Sequence, residues 1–405
     1  MMVTVSVRTS AGPLRAPASA TSPTPVSRRR RRTRPRRIRR VIALAALLSA
    51  LPAVVSYVLM VLQPSDTSLA IRSVEWLRDN GARGLVNRVE SAYYTLNAPS
   101  TGGPSLRALP HQAGADTAGP GAAPSHRVVA IPAYRPPRIA PIISPALSGE
   151  GVWHPTFSSD PTRPPVLVTS YRPDPNYPQM VAGVAWIDST QTSTQLYPGR
   201  SEPAVSMPSR GPEEVPPSLR GRLVATFNSA FKLSDSGGGF ASGGHTYAAM
   251  HNGMATIVRY RSGRVDVVGW TGGASAGPNV AYARQNLPLI VQGGRLNPNL
   301  SDGPEWGATL GNAVRVWRSG VGVDGRGNLI YAVASDQTVG SLAEILRHAG
   351  AVRAMELDIN TYWPSFITYR APGAVGAANL LPGMDRSPQR YLTPDDRDFF
   401  AVYLK

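Results

Sequence analysis

The 405-residue chain contains no cysteine, which excludes disulfides and thiol chemistry. Histidine is scarce, with six in all. His245 and His251 stand six apart without acids at metal-ligand spacing, which argues against zinc. The glycine-rich run 236–245 has the look of a phosphate-wrapping loop but lacks the lysine-Ser/Thr ending of a P-loop, and the oxygen-rich spacing of a calcium loop is missing. Residues 1–40 hold 12 arginines and no acid, so the remaining 30 basic residues face 25 acids. The net charge of +17 therefore belongs mostly to a tail, and a globular part at +5 is too weakly basic to read as a nucleic-acid protein. There is no internal repeat.

Residues 41–62 form an uncharged run of 22 residues, long enough at about 1.5 Å per residue to cross a ~30 Å bilayer core. The arginines at 28–40 hold the preceding segment in the cytoplasm and send the following part outside, with anionic lipid headgroups as their counter-charge. A cleaved signal peptide is the rival reading, but its apolar region is normally about 7–15 residues. The expectation is a single-pass cell-membrane protein with an uncleaved signal anchor, a cytoplasmic N-terminus and an extracytoplasmic C-terminal domain.

The expected organisation is a disordered basic tail over 1–40, the membrane segment over 41–62, and a juxtamembrane helical segment over 63–96 broken at 81–84. A Pro/Gly-rich flexible linker follows over 97–126, then a β-rich part over 127–222 and a main domain over 223–405. Short β-rich runs at 165–170, 181–188 and 255–260 are separated by Pro/Gly turns, and only 342–349 is clearly helical there. The fold class is therefore α+β, strand-rich mixed sheets with few helices, preceded by a single N-terminal transmembrane helix. Gly273-Ala274-Ser275-Ala276-Gly277 matches a serine-hydrolase pattern, but the flanking glycines and Pro278 suit a loop rather than a strand-to-helix elbow.

The most informative stretch is 316–366. Alternation around a Gly325-Arg326-Gly327 turn makes a β-hairpin. Period-2 geometry places Arg318, Gly320 and Gly322 on one face, a fixed cation beside bare backbone that a ligand can approach closely. Ser341 and Glu344 read as a capping box and Gly350 as the helix stop. In the next strand Met355, Leu357 and Ile359, expected to pack on that helix, alternate with Ala354, Glu356 and Asp358. Two carboxylates on one face have Cα atoms ~6–7 Å apart. Acids facing water at a sheet edge are the ordinary explanation of such spacing. Retaining and inverting glycosidases need carboxyl separations of about 5–5.5 Å and about 6.5–9.5 Å, so the spacing leaves stereochemistry open.

Arg318-Ser319-Gly320-Val321-Gly322-Val323-Asp324, a helix ending in Gly350-Ala351, and a strand with Leu357-Asp358 resemble, in that order, the phosphodiester glycosidase family. That family includes the enzyme that uncovers mannose 6-phosphate by removing N-acetylglucosamine from its phosphodiester. The segment 223–231, with Asn228-Ser229-Ala230-Phe231, is similar to the family's strand ending in Asn-Gly-Gly-Phe, so the resemblance runs over roughly 223–404. Residues 127–222 carry no family motif and read as specific to this branch. The resemblance implies a hydrolase that cleaves a sugar from a glycosyl-1-phosphodiester in the cell envelope. Asp358 is then the catalytic acid with Glu356 as partner, and Arg318 meets the phosphate. Asn228, His245, Gly320, Gly322 and Asn360 bind substrate. No cofactor is implied and no metal ligands are assigned, although carboxylates in such a site can hold a divalent cation. Where the family has Leu-Asp-Gly-Gly-Gly-Ser, this chain has Leu357-Asp358-Ile359-Asn360-Thr361-Tyr362. The alternative is a non-catalytic envelope glycan-binding or scaffold protein using the same pocket, with Tyr362, Trp363, Phe366 and Tyr369 to stack on sugar rings.

Overall fold

The computed structural model describes residues 34–115, 134–156, 163–301, 306, 315–370 and 373–405. Most of the basic tail and residues 116–126 of the expected linker lie outside the described residues. The chain divides into two units, Met1–Val58 and Leu59–Lys405. Helix α1 (Arg34–Leu62) makes up the described part of the first and runs into the second. Its segment Arg37–Leu62 is long and apolar enough to cross a membrane, with none of its most apolar window buried.

In the second unit α2 (Leu69–Leu77) starts at Ser68, whose hydroxyl accepts from the Ile71 N–H. A π-type turn at Arg78–Ala82 separates it from α3 (Arg83–Leu96). Gly81 sits at φ +91°, a left-handed conformation, which is where the sequence places the break. Residues 97–115 are laid against the body rather than hanging free as a spacer. The Gly102 N–H donates to the Asn176 carbonyl, Arg172 donates to the Ser105 hydroxyl, and Ala115 is buried.

Three sheets build the body, and every strand pairing among the described residues is antiparallel, a narrower pattern than the mixed sheets expected. The main sheet has eight strands in the order His154–Pro155, Val166–Tyr171, Ala182–Ile187, Leu329–Gln337, Val316–Val323, Arg353–Ile359, Val291–Gln292 and Arg295–Leu296. Strands from both sides of residue 223 share it, so 127–222 is not a separate subdomain. The third sheet mixes them as well, in the order Ala378–Asn379, Phe366–Thr368, Leu223–Asn228, Phe399–Leu404 and Thr192–Tyr197. The second sheet contains the hairpin Phe240–Ser242 and His245–Ala248 beside Val280–Pro288, Met254–Tyr260 and Val265–Gly269. The glycine-rich run 236–245 thus leads into and forms part of a sheet hairpin, with Gly238 and Gly239 packed closely against Gln285 and Met250.

The two faces of the main sheet bury different things. Val321, Val323, Met355 and Leu357 join Phe227, Phe366 and Phe400 of the third sheet in a central core. Rings of Phe227 and Phe400 stack at 5.0 Å between centroids, and Tyr331 of the main sheet lies 4.9 Å from Phe366. The opposite face carries Ala332 and Ala354 under helix α5 (Val339–His348), whose Leu342, Ile345 and Leu346 are buried there. Met355 and Leu357 therefore point away from α5, the reverse of the expected packing. α4, a single turn at Leu233–Ser236, precedes the second sheet. The α5 capping box forms three residues earlier than expected, between Thr338 and Ser341, and Gly350 at φ +100° does end the helix.

Gly320 faces α5, and Gly322 faces Ala351 after it and the neighbouring strand, so neither stands open to a ligand. A Cβ on Gly320 would stand 2.8 Å from Leu346 Cδ1 and 2.9 Å from the Met355 carbonyl, and one on Gly322 would stand 2.6 Å from the Arg353 carbonyl. Their small size lets the helix and neighbouring strand close on the sheet. Gly320→Ala is expected to destabilise the fold by about 1–3 kcal/mol through overpacking, measured by urea unfolding; an unchanged midpoint would contradict this packing.

Candidate active site

At the junction of the main and third sheets lies Asn228, the last residue of the Leu223–Asn228 strand, which is buried. Its amide nitrogen donates to the Ser319 hydroxyl (3.0 Å) and the Ser229 carbonyl (3.0 Å). Its oxygen accepts from the Tyr331 hydroxyl (2.8 Å) and the Ser365 N–H (3.0 Å). All four positions of the amide are used within the protein. Ser319 in turn donates to the Asp358 carbonyl at 2.7 Å, and the Asp358 N–H donates to the Ser229 carbonyl at 3.0 Å. Asn228 thus positions the backbone of Asp358 rather than reaching for a substrate.

The expected Glu356–Asp358 carboxylate pair is split between two arginines. Glu356 is buried and its Oε1 lies 2.6 Å from Arg318 Nη1, while Arg318 Nε donates to the Gln337 carbonyl at 2.8 Å. Burial pushes the Glu356 carboxyl up, against the pull of Arg318. Between the pairs Gly320–Glu356 and Arg318–Ile359, three steps of one strand oppose two of the other. This bulge breaks the alternation that puts Glu356 and Asp358 on one face. Asp358 turns to Arg397, with Oδ2 3.1 Å from Nη2, and its Oδ1 accepts from the Ile359 N–H. Burial raises the Asp358 carboxyl to about 7, against Arg397 and the Ile359 N–H. The ordinary explanation of exposed acids fails for both residues.

Arg397 precedes the Phe399–Leu404 strand and lines a cavity of about 760 Å³. Its guanidinium lies over the Trp363 ring, 4.3 Å from the centroid. Burial works against the Arg397 cation, but Asp358, Glu75, Glu202 and Asp398 more than offset it and hold the charge. Its Nε and Nη1 are buried without a hydrogen-bond partner among the described residues. Such groups are costly unless something accepts from them. Across the cavity α2 and the following turn present Glu75 and Asp79, whose carboxylates lie 3.2 Å and 3.5 Å from Lys232 Nζ; Glu75 is also 3.8 Å from Arg397. Glu202 lines the same wall, its carboxyl raised by burial in spite of Arg397 and Arg284. The site can therefore bind an anion beside a carboxyl that titrates near neutrality.

The other sequence-derived residues lie elsewhere. His245 is exposed on the edge hairpin of the second sheet. Asn360 is half-buried at φ +83°, and accepts from the Tyr94 hydroxyl of α3 at 3.3 Å. Asparagine tolerates this left-handed backbone better than most residues, which explains how the chain turns there without the family's glycines. Tyr362 and Trp363 are engaged by arginines, Arg386 lying 4.4 Å from the Tyr362 centroid. Sequence reasoning missed Arg397, Lys232, Glu202 and Glu75. The dense run Asp395-Asp396-Arg397-Asp398 before an apolar strand was the signal for the first. Among the described residues no three His, Asp or Glu side chains gather as metal ligands.

Asn228→Ala would strand the Tyr331 hydroxyl and Ser365 N–H in the interior, and is expected to cost at least about 2 kcal/mol, at about 1–3 kcal/mol per unsatisfied group, measured by chemical unfolding. A folded-state carboxyl raised from 3.8 to about 7 holds its proton where the unfolded chain has lost it, so stability falls as pH rises between those values. Asp358→Asn should flatten this slope, gaining on the parent as pH rises from 4 to 7. Parallel unfolding curves across that window would show that Asp358 is not so perturbed.

Residues 220–358 match the phosphodiester glycosidase family model, which takes in Asn228, Arg318, Glu356 and Asp358 and stops short of Arg397. No curated protein matches the sequence. Among solved structures, a hypothetical protein from Synechocystis is similar at 13% identity and TM-score 0.37, covering 59% of this chain and 62% of that one. The catalytic domain of zebrafish N-acetylglucosamine-1-phosphodiester alpha-N-acetylglucosaminidase, auto-inhibited by its pro-peptide, is similar at 16% identity and TM-score 0.42, covering 62% of this chain and 86% of that one. Residues 220–358 are thus a divergent phosphodiester glycosidase-like domain.

Proposed function

We propose that the chain is a membrane-anchored, extracytoplasmic hydrolase that releases a sugar from a glycosyl-1-phosphodiester. The observation that carries this reading is Arg397, a buried cation with two unpartnered nitrogens on the wall of a cavity. It takes the phosphate role that the sequence alone gives to Arg318, which is committed to Glu356. A cavity of 760 Å³ lies within the usual range for small-molecule sites.

In this mechanism the phosphate replaces the long Glu75 contact on Arg397 and takes up its free N–H groups. Lys232 adds a second positive charge. A phosphate monoester leaves readily, so little protonation of its oxygen is needed. Asp358 in its ionised form takes a proton from water as the water oxygen bonds to the anomeric carbon and the bond from that carbon to the phosphate oxygen breaks. Asn228, through Ser319 and the peptide groups flanking Asp358, holds the acid in place. Helix α1, preceded by arginines, anchors the body outside the membrane.

The test is sugar release from a glycosyl-1-phosphodiester by the full-length protein in detergent. Arg397→Ala and Asp358→Asn should each lower kcat/KM by about 100-fold or more, the scale of a lost charge clamp or acid-base group. Because the ionised form of Asp358 is required, the rate should rise with pH through about 7 and then level, and that limb should vanish in Asp358→Asn. Unchanged turnover in both variants would overturn the assignment, and saturable binding without turnover would replace it with the glycan-binding alternative.

A further inference from the structure

The cavity that holds Arg397 is walled in part by the end of the apolar helix. Met60 in the last turn of α1 and Gln63 and Pro64 after it line the same space as Lys232, Trp363 and Arg397. These residues are fixed there: Arg72 of α2 donates to the carbonyls of Met60 and Gln63, and Asp66 pairs with Arg386. A site for a freely diffusing substrate gains nothing from being built against such a segment.

A second observation comes from α3. Leu85, Val89, Tyr93 and Leu96 are spaced by four, four and three, which puts them on one helix face. They are between 60% and 86% exposed, whereas Val86, at the edge of that face next to Tyr93, is buried. On α2, Leu69 and Leu77 are exposed too. An apolar stripe on a helix is a membrane-surface signature when the chain continues directly from a span, and α2 begins only seven positions after the end of α1 at Leu62.

On the reading given under Proposed function, and resting on it, we infer that the substrate is a lipid: a glycosyl phosphodiester whose aglycone is a long hydrocarbon chain held in the bilayer. The α3 stripe lies in the membrane interface. The phosphate enters the cavity to Arg397, and the hydrocarbon leaves past Met60 and Pro64 into the bilayer. Hydrolysis puts water's hydroxyl on the anomeric carbon and leaves the lipid as its phosphate monoester, so no oxidant or further reactant is consumed.

The test uses the full-length protein in phosphatidylcholine vesicles and two substrates with the same sugar 1-phosphate, one esterified to a hexadecyl chain and the other to methanol. The hexadecyl substrate should be cleaved about tenfold faster at equal total concentration, because the bilayer concentrates it at the site. The double variant Leu85→Glu/Val89→Glu, at exposed positions, should lose about tenfold on the hexadecyl substrate and keep the parent's rate on the methyl one. A thermal midpoint equal to the parent's shows that it folds. Equal rates on the two substrates, or a double variant that matches the parent on the hexadecyl one, would overturn the lipid inference and leave the hydrolase standing. Cleavage of neither substrate by the parent would overturn the hydrolase reading itself.

Discussion

Four hydrogen bonds on the buried amide of Asn228 tie the third sheet to the main sheet. The amide nitrogen reaches Ser319 of the main sheet and the carbonyl of Ser229, and the oxygen accepts from Tyr331 of the main sheet and from the segment at Ser365. The aromatic stack of Phe227, Phe366, Phe400 and Tyr331 supplies apolar contact at the same seam. Apolar packing is non-directional and tolerates sliding, whereas a fully satisfied polar network permits one register. Asp358 inherits its position from this seam, since its peptide group is bonded on both sides to residues that Asn228 touches or follows.

Buried arginine-carboxylate pairs recur in the interior. Arg284 meets Asp398 at 2.8 Å, Arg390 meets Asp395 at 2.6 Å and Arg172 meets Glu150 at 2.9 Å. Such pairs contribute little net stability because both ions lose water, but losing either partner leaves a buried charge alone. They therefore act as placement devices. Arg397 differs: it gives one nitrogen to Asp358 and keeps two unbonded among the described residues. Beside the fully bonded Arg284, Arg390 and Arg172, that surplus is what the proposed phosphate site rests on.

Much of the fold was legible because it rests on local signals. The hairpin at 316–337, the break at Gly81 and the α5 helix follow from alternation, turn glycines and helical spacing. The site was legible only in part. Asp358, Asn228 and Arg318 emerge from local motif order and Glu356 from strand alternation as the partner of Asp358, but alternation gives faces without saying what covers them, and Arg318 and Glu356 are paired with each other. A bulge then separated the two acids, and no residue in Leu357-Asp358-Ile359 announces it. Arg397, Glu202 and Glu75 reach the cavity from three distant parts of the sequence, a convergence of which the charged run 395–398 is the one local trace, and for Arg397 alone.

The third sheet also imposes an order on how the protein can form. Its Thr192–Tyr197 strand pairs with Phe399–Leu404, and the Tyr197 and Tyr403 hydroxyls meet at 2.8 Å across 206 positions of chain. A chain delivered from its N-terminus exposes the earlier strand's edge for the whole time those intervening residues take to appear. Until then Arg397 has no frame and the cavity lacks this buried cation. The cavity is therefore complete only once the Phe399–Leu404 strand has been made, and the waiting Thr192–Tyr197 edge is where a chaperone or a wrong strand would first take hold.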